Sequence, residues 1–182
     1  MTKDEFERVF FYYESIERDI DNTSKYIEPR NQENAFSHEF CKIIILSCTE
    51  LESVMKILCK ELTGKECGNI GEYKACILNA FPNIGDAVVM VPRFGKDICP
   101  FKEWESGKLS WWDSYTHLKH SYESYSTEGT YKNAVYALSA LYILILYLAK
   151  HENIDFRYKR IGYLDSDYEL NYLIDNPEKS LP

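Results

Sequence analysis

Residues 134–149 contain no charged side chain, and this run restricts the fold more than any other stretch. A helix that is apolar on every side must be surrounded, either by lipid or by the rest of the protein. Spanning a bilayer takes roughly 20 apolar residues. Here the run is 16 residues long and includes Tyr136, Ser139, Tyr142 and Tyr147, with no lysine-rich flank. It reads as a core helix over about 130–151, and no membrane partner is expected. The rest of the chain can supply the surroundings: 45% of the 182 residues are hydrophobic, and 15 tyrosines and nine phenylalanines add large rigid faces.

Other helices follow from periodicity and punctuation. Thr2 and Glu5 form a capping-box pattern, and Phe6, Val9, Phe10, Tyr13, Ile16 and Ile20 recur at helical spacing up to Asp21-Asn22-Thr23. The polar stretch 26–33, with Pro29, is a connection. A second helix is expected over 35–62, carrying Phe36, Phe40, Ile43, Ile44, Leu51, Val54, Met55 and Leu58 and stopping at Gly64. A shorter one should cover 73–81, before Pro82. Residues 82–109 are punctuated by proline and glycine and read as a long irregular loop, with a short extended piece at 87–91. Loops of this length are often functional. Ser110 then looks like the cap of a helix that continues past His120 and breaks before Gly129. Expected is an all-α antiparallel bundle over 1–151, with a polar C-terminal appendage over 152–182. In that appendage Tyr163, Leu164, Tyr168, Leu170, Tyr172 and Leu173 could pack back on the bundle.

Charge and cysteines narrow the chemistry. Twenty-nine acids against 21 bases give a net charge of −8, which disfavours broad, non-specific nucleic-acid binding. From Arg93 to Lys132, however, six bases balance six acids, leaving room for a local site. The N-terminal residues lack a signal-peptide pattern, so a cytoplasmic protein with six reduced cysteines is expected. No CxxC pair occurs, and Cys41, Cys48 and Cys59 fall in one helical pattern as buried thiols.

The densest cluster of chemistry-bearing side chains is Trp111-Trp112-Asp113-Ser114-Tyr115-Thr116-His117-Leu118-Lys119-His120. Thr116, His117 and His120 share a helical face. Histidine exchanges protons near neutral pH, and Lys119 can hold a phosphate as a point charge. The same residues also suit a structural role, with His120 bonded to a neighbouring helix and the aromatic rings in the core. His117 and His120 form an HxxH pair, but with only His38 and His151 besides, no metal or cofactor is expected.

The segment 111–120, followed by Tyr131-Lys132-Asn133-Ala134 and the apolar helix, resembles the HEPN (higher eukaryotes and prokaryotes nucleotide-binding) superfamily. More narrowly, it is similar to bacterial HEPN-like proteins with a tryptophan–tyrosine–asparagine–lysine–histidine pattern. Glu50-Leu51-Glu52 through Lys56 fits as well, and the resemblance covers about 5–150. It implies an up-and-down bundle of four or five helices, often dimeric. It also implies, for many members, a metal-independent ribonuclease site composed across two copies. The motif histidine falls on His120, the usual arginine position on Tyr115, and the asparagine position on Thr116. Lys119 and Trp112 match the narrower group; Tyr122 stands where that group often has an arginine. No arginine lies four to six residues before His120, so the phosphate-binding cation must come from Lys119 or from elsewhere, such as Arg93 or Arg30.

The resemblance makes His120 the proton-transfer residue, with Lys119 and Tyr115 on phosphate or ribose and Trp112, Thr116, His117 and Asn133 around the substrate. Glu50 would orient His120, as carboxylates commonly orient histidines, while Glu52 pairs with Lys56 at i,i+4. Asn133 opens the last helix and can equally cap it or link two helices. The implied function is an RNA-directed protein, in the class of metal-independent endoribonucleases of defence or toxin systems. Its implied partners are a second copy of itself, RNA or a nucleotide, and an antitoxin or other defence protein. The alternative is a catalytically inactive module for dimerisation or partner binding.

Overall fold

The computed structural model describes residues 1–154, 163–164 and 173–176. Helix α1, Lys3–Thr23, begins at the expected capping box: Thr2 Oγ1 accepts from Glu5 N, and the Glu5 carboxylate accepts from Thr2 N at 2.8 Å. Helix α2, His38–Thr63, ends at Gly64, whose φ of 69° is the left-handed geometry a glycine stop adopts without strain. Helix α6, Tyr131–His151, packs mainly against α2, and α1 packs on both. By length and composition α6 could cross a membrane. Yet 78% of its most apolar 18-residue window is buried inside the fold, so it is the core helix that its uncharged run calls for. The all-α class holds, with one small hairpin added.

Three helix starts differ from expectation, two of them through contacts from outside the helix. Residues 35–37 are not helical. Tyr131 N donates to Ala35 O at 2.8 Å and Ser37 N to Gly129 O at 3.1 Å, which draws this stretch out beside the start of α6. Ser37 is thereby left as the cap of α2, accepting from Phe40 N at 3.1 Å. Helix α3, Ile70–Ala80, starts earlier than expected because Asn69 caps it, accepting from Glu72 N at 3.1 Å. In helix α4, Ser110–His120, Ser110 is the first helical residue and not the cap. Its backbone N–H and hydroxyl both donate to the Glu103 carboxylate.

Residues 82–109 are a packed lobe and not an irregular cover. Strands β1, Val89–Val91, and β2, Lys96–Ile98, pair antiparallel, with Val89 opposite Ile98 and Val91 opposite Lys96. The extended piece expected at 87–91 is thus present in part. Ile84, Val89, Val91, Phe94, Ile98, Phe101 and Trp104 are all buried, so the lobe adds its own apolar face to the core. Helix α4 does not continue past His120 as expected: Ser121, at φ −154° and ψ 71°, breaks it, and a separate four-residue helix, α5, Tyr122–Tyr125, and a 3-10 turn, Ser126–Glu128, follow.

Part of the C-terminal segment also packs inward. Tyr163, Leu164 and Leu173 are fully buried. Leu164 N donates to the buried Glu17 carboxylate at 3.1 Å, and the Tyr163 and Tyr131 hydroxyls hydrogen-bond. Tyr168, Leu170 and Tyr172 lie outside the described residues.

Candidate functional site

Helix α4 is anchored by its aromatic residues. Trp111 Nε1 donates to Pro100 O at 2.8 Å, and its ring meets Phe101 edge-on at 6.3 Å between centroids. Trp112 is buried and packs edge-on against Tyr115 at 5.1 Å. Tyr115 is itself buried, but its hydroxyl reaches Lys119 Nζ at 3.2 Å, one turn on, and the ammonium sits 5.3 Å from its ring centre. The Lys119 ammonium is held above its usual range, first by Tyr115 and in smaller part by the Glu52 carboxylate. Thr116 Oγ1 donates back to Trp112 O at 3.1 Å. Asn133 does what a helix-linking asparagine does: its Nδ2 donates to Ser114 Oγ at 3.0 Å and to Glu128 O at 2.9 Å. Trp112, Thr116 and Asn133 therefore hold the scaffold, and Tyr115 reaches the surface only through Lys119.

The exposed end of α4 is where the imidazoles lie. His117 stacks on Tyr125 at 4.5 Å between centroids, and its Nδ1 lies 3.0 and 3.1 Å from the two carboxylate oxygens of Glu128. His120, the last residue of α4, is exposed and makes no hydrogen bond or ion pair among the described residues. Beside them, His38 at the start of α2 stacks on Tyr122 at 5.8 Å, and its Nδ1 bonds the Tyr122 hydroxyl. The buried Cys41 thiol, one turn along α2, donates to Ser126 O at 3.4 Å. Basic side chains in the last turn of α4 also face the negative end of its helix dipole.

The orienting carboxylate thus comes from an unexpected place and serves a different histidine. Glu50 makes no hydrogen bond or ion pair among the described residues; it is half-buried, and burial raises its carboxyl above the usual range. Glu52 pairs with Lys56 at 3.6 Å as expected. Glu128 is 11 residues from His117, beyond the end of α4, and reaches it because the chain turns back through α5 and the 3-10 turn. No periodic signal could have linked them. The possible remote cations are committed elsewhere: Arg93 ion-pairs with Asp21 at 2.7 Å and shares a cavity with Arg30 beside Ser24, Glu28 and Pro29. Among the described residues, no three histidine, cysteine or acidic side chains are placed to hold a metal ion.

Two imidazoles on one helical turn, one oriented by a carboxylate and one exposed with no partner among the described residues, can give and take protons at the same small ligand. Comparison of the chain with protein-family models, curated proteins and solved structures finds no match.

Proposed function

We propose that this chain is a HEPN-like, RNA-directed protein that cuts RNA without a metal, at the exposed end of α4. The observation that carries this reading is the His117–Glu128 pair, with Nδ1 3.0 Å from the carboxylate, one turn from the exposed His120. Residues three apart on a helix have Cβ atoms about 5–6 Å apart, which suits a base and an acid acting on one phosphodiester. One imidazole takes the proton of a ribose 2′-hydroxyl, and the 2′-oxygen bonds to phosphorus. The bond from phosphorus to the 5′-oxygen breaks, and that oxygen takes a proton from the other, protonated imidazole. The products are a 2′,3′-cyclic phosphate and a free 5′-hydroxyl. Lys119 offers the positive charge for the phosphate, and the exposed rings of Tyr122 and Tyr125 offer surfaces on which bases can stack. In this reading two copies of the chain form the working unit, as the resemblance implies.

One observation favours a second reading, a catalytically inactive module that binds an antitoxin or other defence partner. Tyr115, buried, stands where the resemblance places an arginine. The deciding experiment incubates wild type, His117→Ala and His120→Ala with a mixed RNA pool, with and without chelator, alongside thermal melts. Cleavage that survives chelation and is lost in both variants supports the ribonuclease. No cleavage by wild-type protein overturns it in favour of the binding module.

A further inference from the structure

A cavity of about 370 Å³ lies between the end of α1 and the start of α2, and it shares no lining residue with the α4 surface. Its size is within the range of small-molecule sites, about 300–1,000 Å³. Phe40 and Thr23 are buried in its wall, Ile27 is half-buried, and Tyr26, at the edge, is 87% exposed. The two small hydroxyls in the wall are bonded to backbone: Thr23 Oγ1 donates to Ile20 O at 2.6 Å, and Ser37 Oγ accepts from Phe40 N at 3.1 Å. The charged groups of the wall are both carboxylates, Asp19 on α1 and Glu39 on α2. They converge, because Lys42 Nζ lies 3.0 Å from Asp19 Oδ2 and 2.6 Å from Glu39 Oε1. That ammonium is held above its usual range, first by Glu39 and then by Asp19. Two anions thus share one cation, which offsets only one of their charges. The other ammonium at this end, Lys25, is exposed and donates to the Asn22 amide oxygen at 2.8 Å, not to a carboxylate.

We propose that this cavity binds a small organic ammonium ion with an aromatic body. The ammonium sits between Asp19 and Glu39, where the Lys42 ammonium already shows that one cation can meet both. Each carboxylate has two oxygens and room for further donors, so the ligand shares these anions with Lys42 or replaces it. Replacement is easy, because the ion pairs of Lys42 are exposed and such pairs contribute little. The ligand's body lies against Phe40, Thr23 and Ile27, and the Tyr26 ring offers its face to the body or to the cation. The charge of the wall selects the class of ligand. An anion meets two carboxylates, and a neutral molecule of the same shape covers them without giving them a charged donor. The site is independent of the α4 surface, so it stands or falls apart from the ribonuclease reading.

The test titrates the full-length protein with phenethylamine, phenethyl alcohol and hydrocinnamate, which share a body and differ in the charge of the head group. Calorimetry measures affinity, and amide NMR spectra locate the site. Phenethylamine should bind and shift the signals of Tyr26, Ile27 and Phe40. The alcohol should bind about tenfold more weakly, the worth of one charge-assisted hydrogen bond, and hydrocinnamate should not bind. Asp19→Asn should weaken phenethylamine by a similar factor, and Tyr26→Ala should weaken it several-fold. Lys42→Ala should tighten it several-fold, since the competing ammonium is gone; a purely structural Lys42 would give no gain. Equal binding of amine and alcohol in the wild type overturns the proposal, and that comparison needs no variant to fold. Signal shifts confined to other parts of the molecule, or weaker binding in folded Lys42→Ala, overturn it as well. So does a lysine-rich peptide that occupies the cavity when phenethylamine does not, which would make it a docking site for a protein.

Discussion

Glu128 does two things at once: its carboxylate faces His117 and its backbone carbonyl accepts from Asn133. Glu128→Gln leaves the backbone contact in place and removes the charge that would hold a protonated imidazole. If the α4 surface cuts RNA, His117→Ala should lower the cleavage rate about 10²–10⁴-fold, the usual worth of a general acid or base, and Glu128→Gln should lose part of that. Because the pair is half-exposed, both variants should change stability by no more than about 1 kcal/mol. Rates on one RNA and paired thermal melts check this; a large drop in melting temperature with no effect on rate would make the pair structural. Glu50 gives a separate residue-scale prediction. Its carboxyl is raised in the folded state by burial, so the fold binds its proton more tightly than the unfolded chain does. The charged form therefore costs stability as pH rises through the raised value, and nothing is lost below the ordinary glutamate value of 4.5. Glu50→Gln should raise the melting temperature at pH 7, and the gain should vanish as pH falls below that value. Melts of both proteins across pH would show it.

At the level of elements, the approach of α2 to the start of α6 depends on Gly129. A Cβ built there would overlap Sγ of Cys41 and lie 3.1–3.2 Å from the backbone atoms Ser126 O and Cys41 N. Backbone atoms cannot swing away as a side-chain tip can. Gly129→Ala should therefore cost about 1–3 kcal/mol, the usual penalty of overpacking, and should disturb the cap of α2 at Ser37, whose N–H donates to Gly129 O. Chemical denaturation measures the loss; a shift under about 0.5 kcal/mol would mean that the two helices separate more freely than their contacts indicate. The same junction explains why 35–37 are extended: their backbone groups are satisfied by residues 129–131, an option more favourable here than another half-turn of helix.

On the scale of the whole molecule, one α4 surface presents two imidazoles and one lysine, and among the described residues no arginine pairs with them. A phosphodiester site of the proposed kind gains charge if a second copy brings its own α4 alongside. Analytical ultracentrifugation should therefore find a dimer, and a Lys119→Ala variant should bind RNA with a weaker salt dependence, since each phosphate contact releases counterions. A monomer at high concentration, or an unchanged salt slope, would contradict a two-copy site. The exposed Phe11, Tyr12 and Phe36 are further apolar surface that such an assembly could cover.

The apolar stripes of α1 and α2 and the uncharged run of α6 were legible in the amino acids, because burial imposes a helical period and a helix without a polar face must go inside. The capping box at Thr2 and the stop at Gly64 were legible for a similar reason: they act through bonds only three or four residues long. The end of α4 as a place rich in imidazole was visible too. What the chain order could not reveal were the pairings made by turns with no repeat. Glu128 serves His117, and Glu103 takes Ser110 out of the capping role. Each joins residues on either side of a turn and not along one helix or strand. Such contacts are fixed by how the core helices and the 82–109 lobe fill space together, a property of the packed molecule that local spacing does not encode.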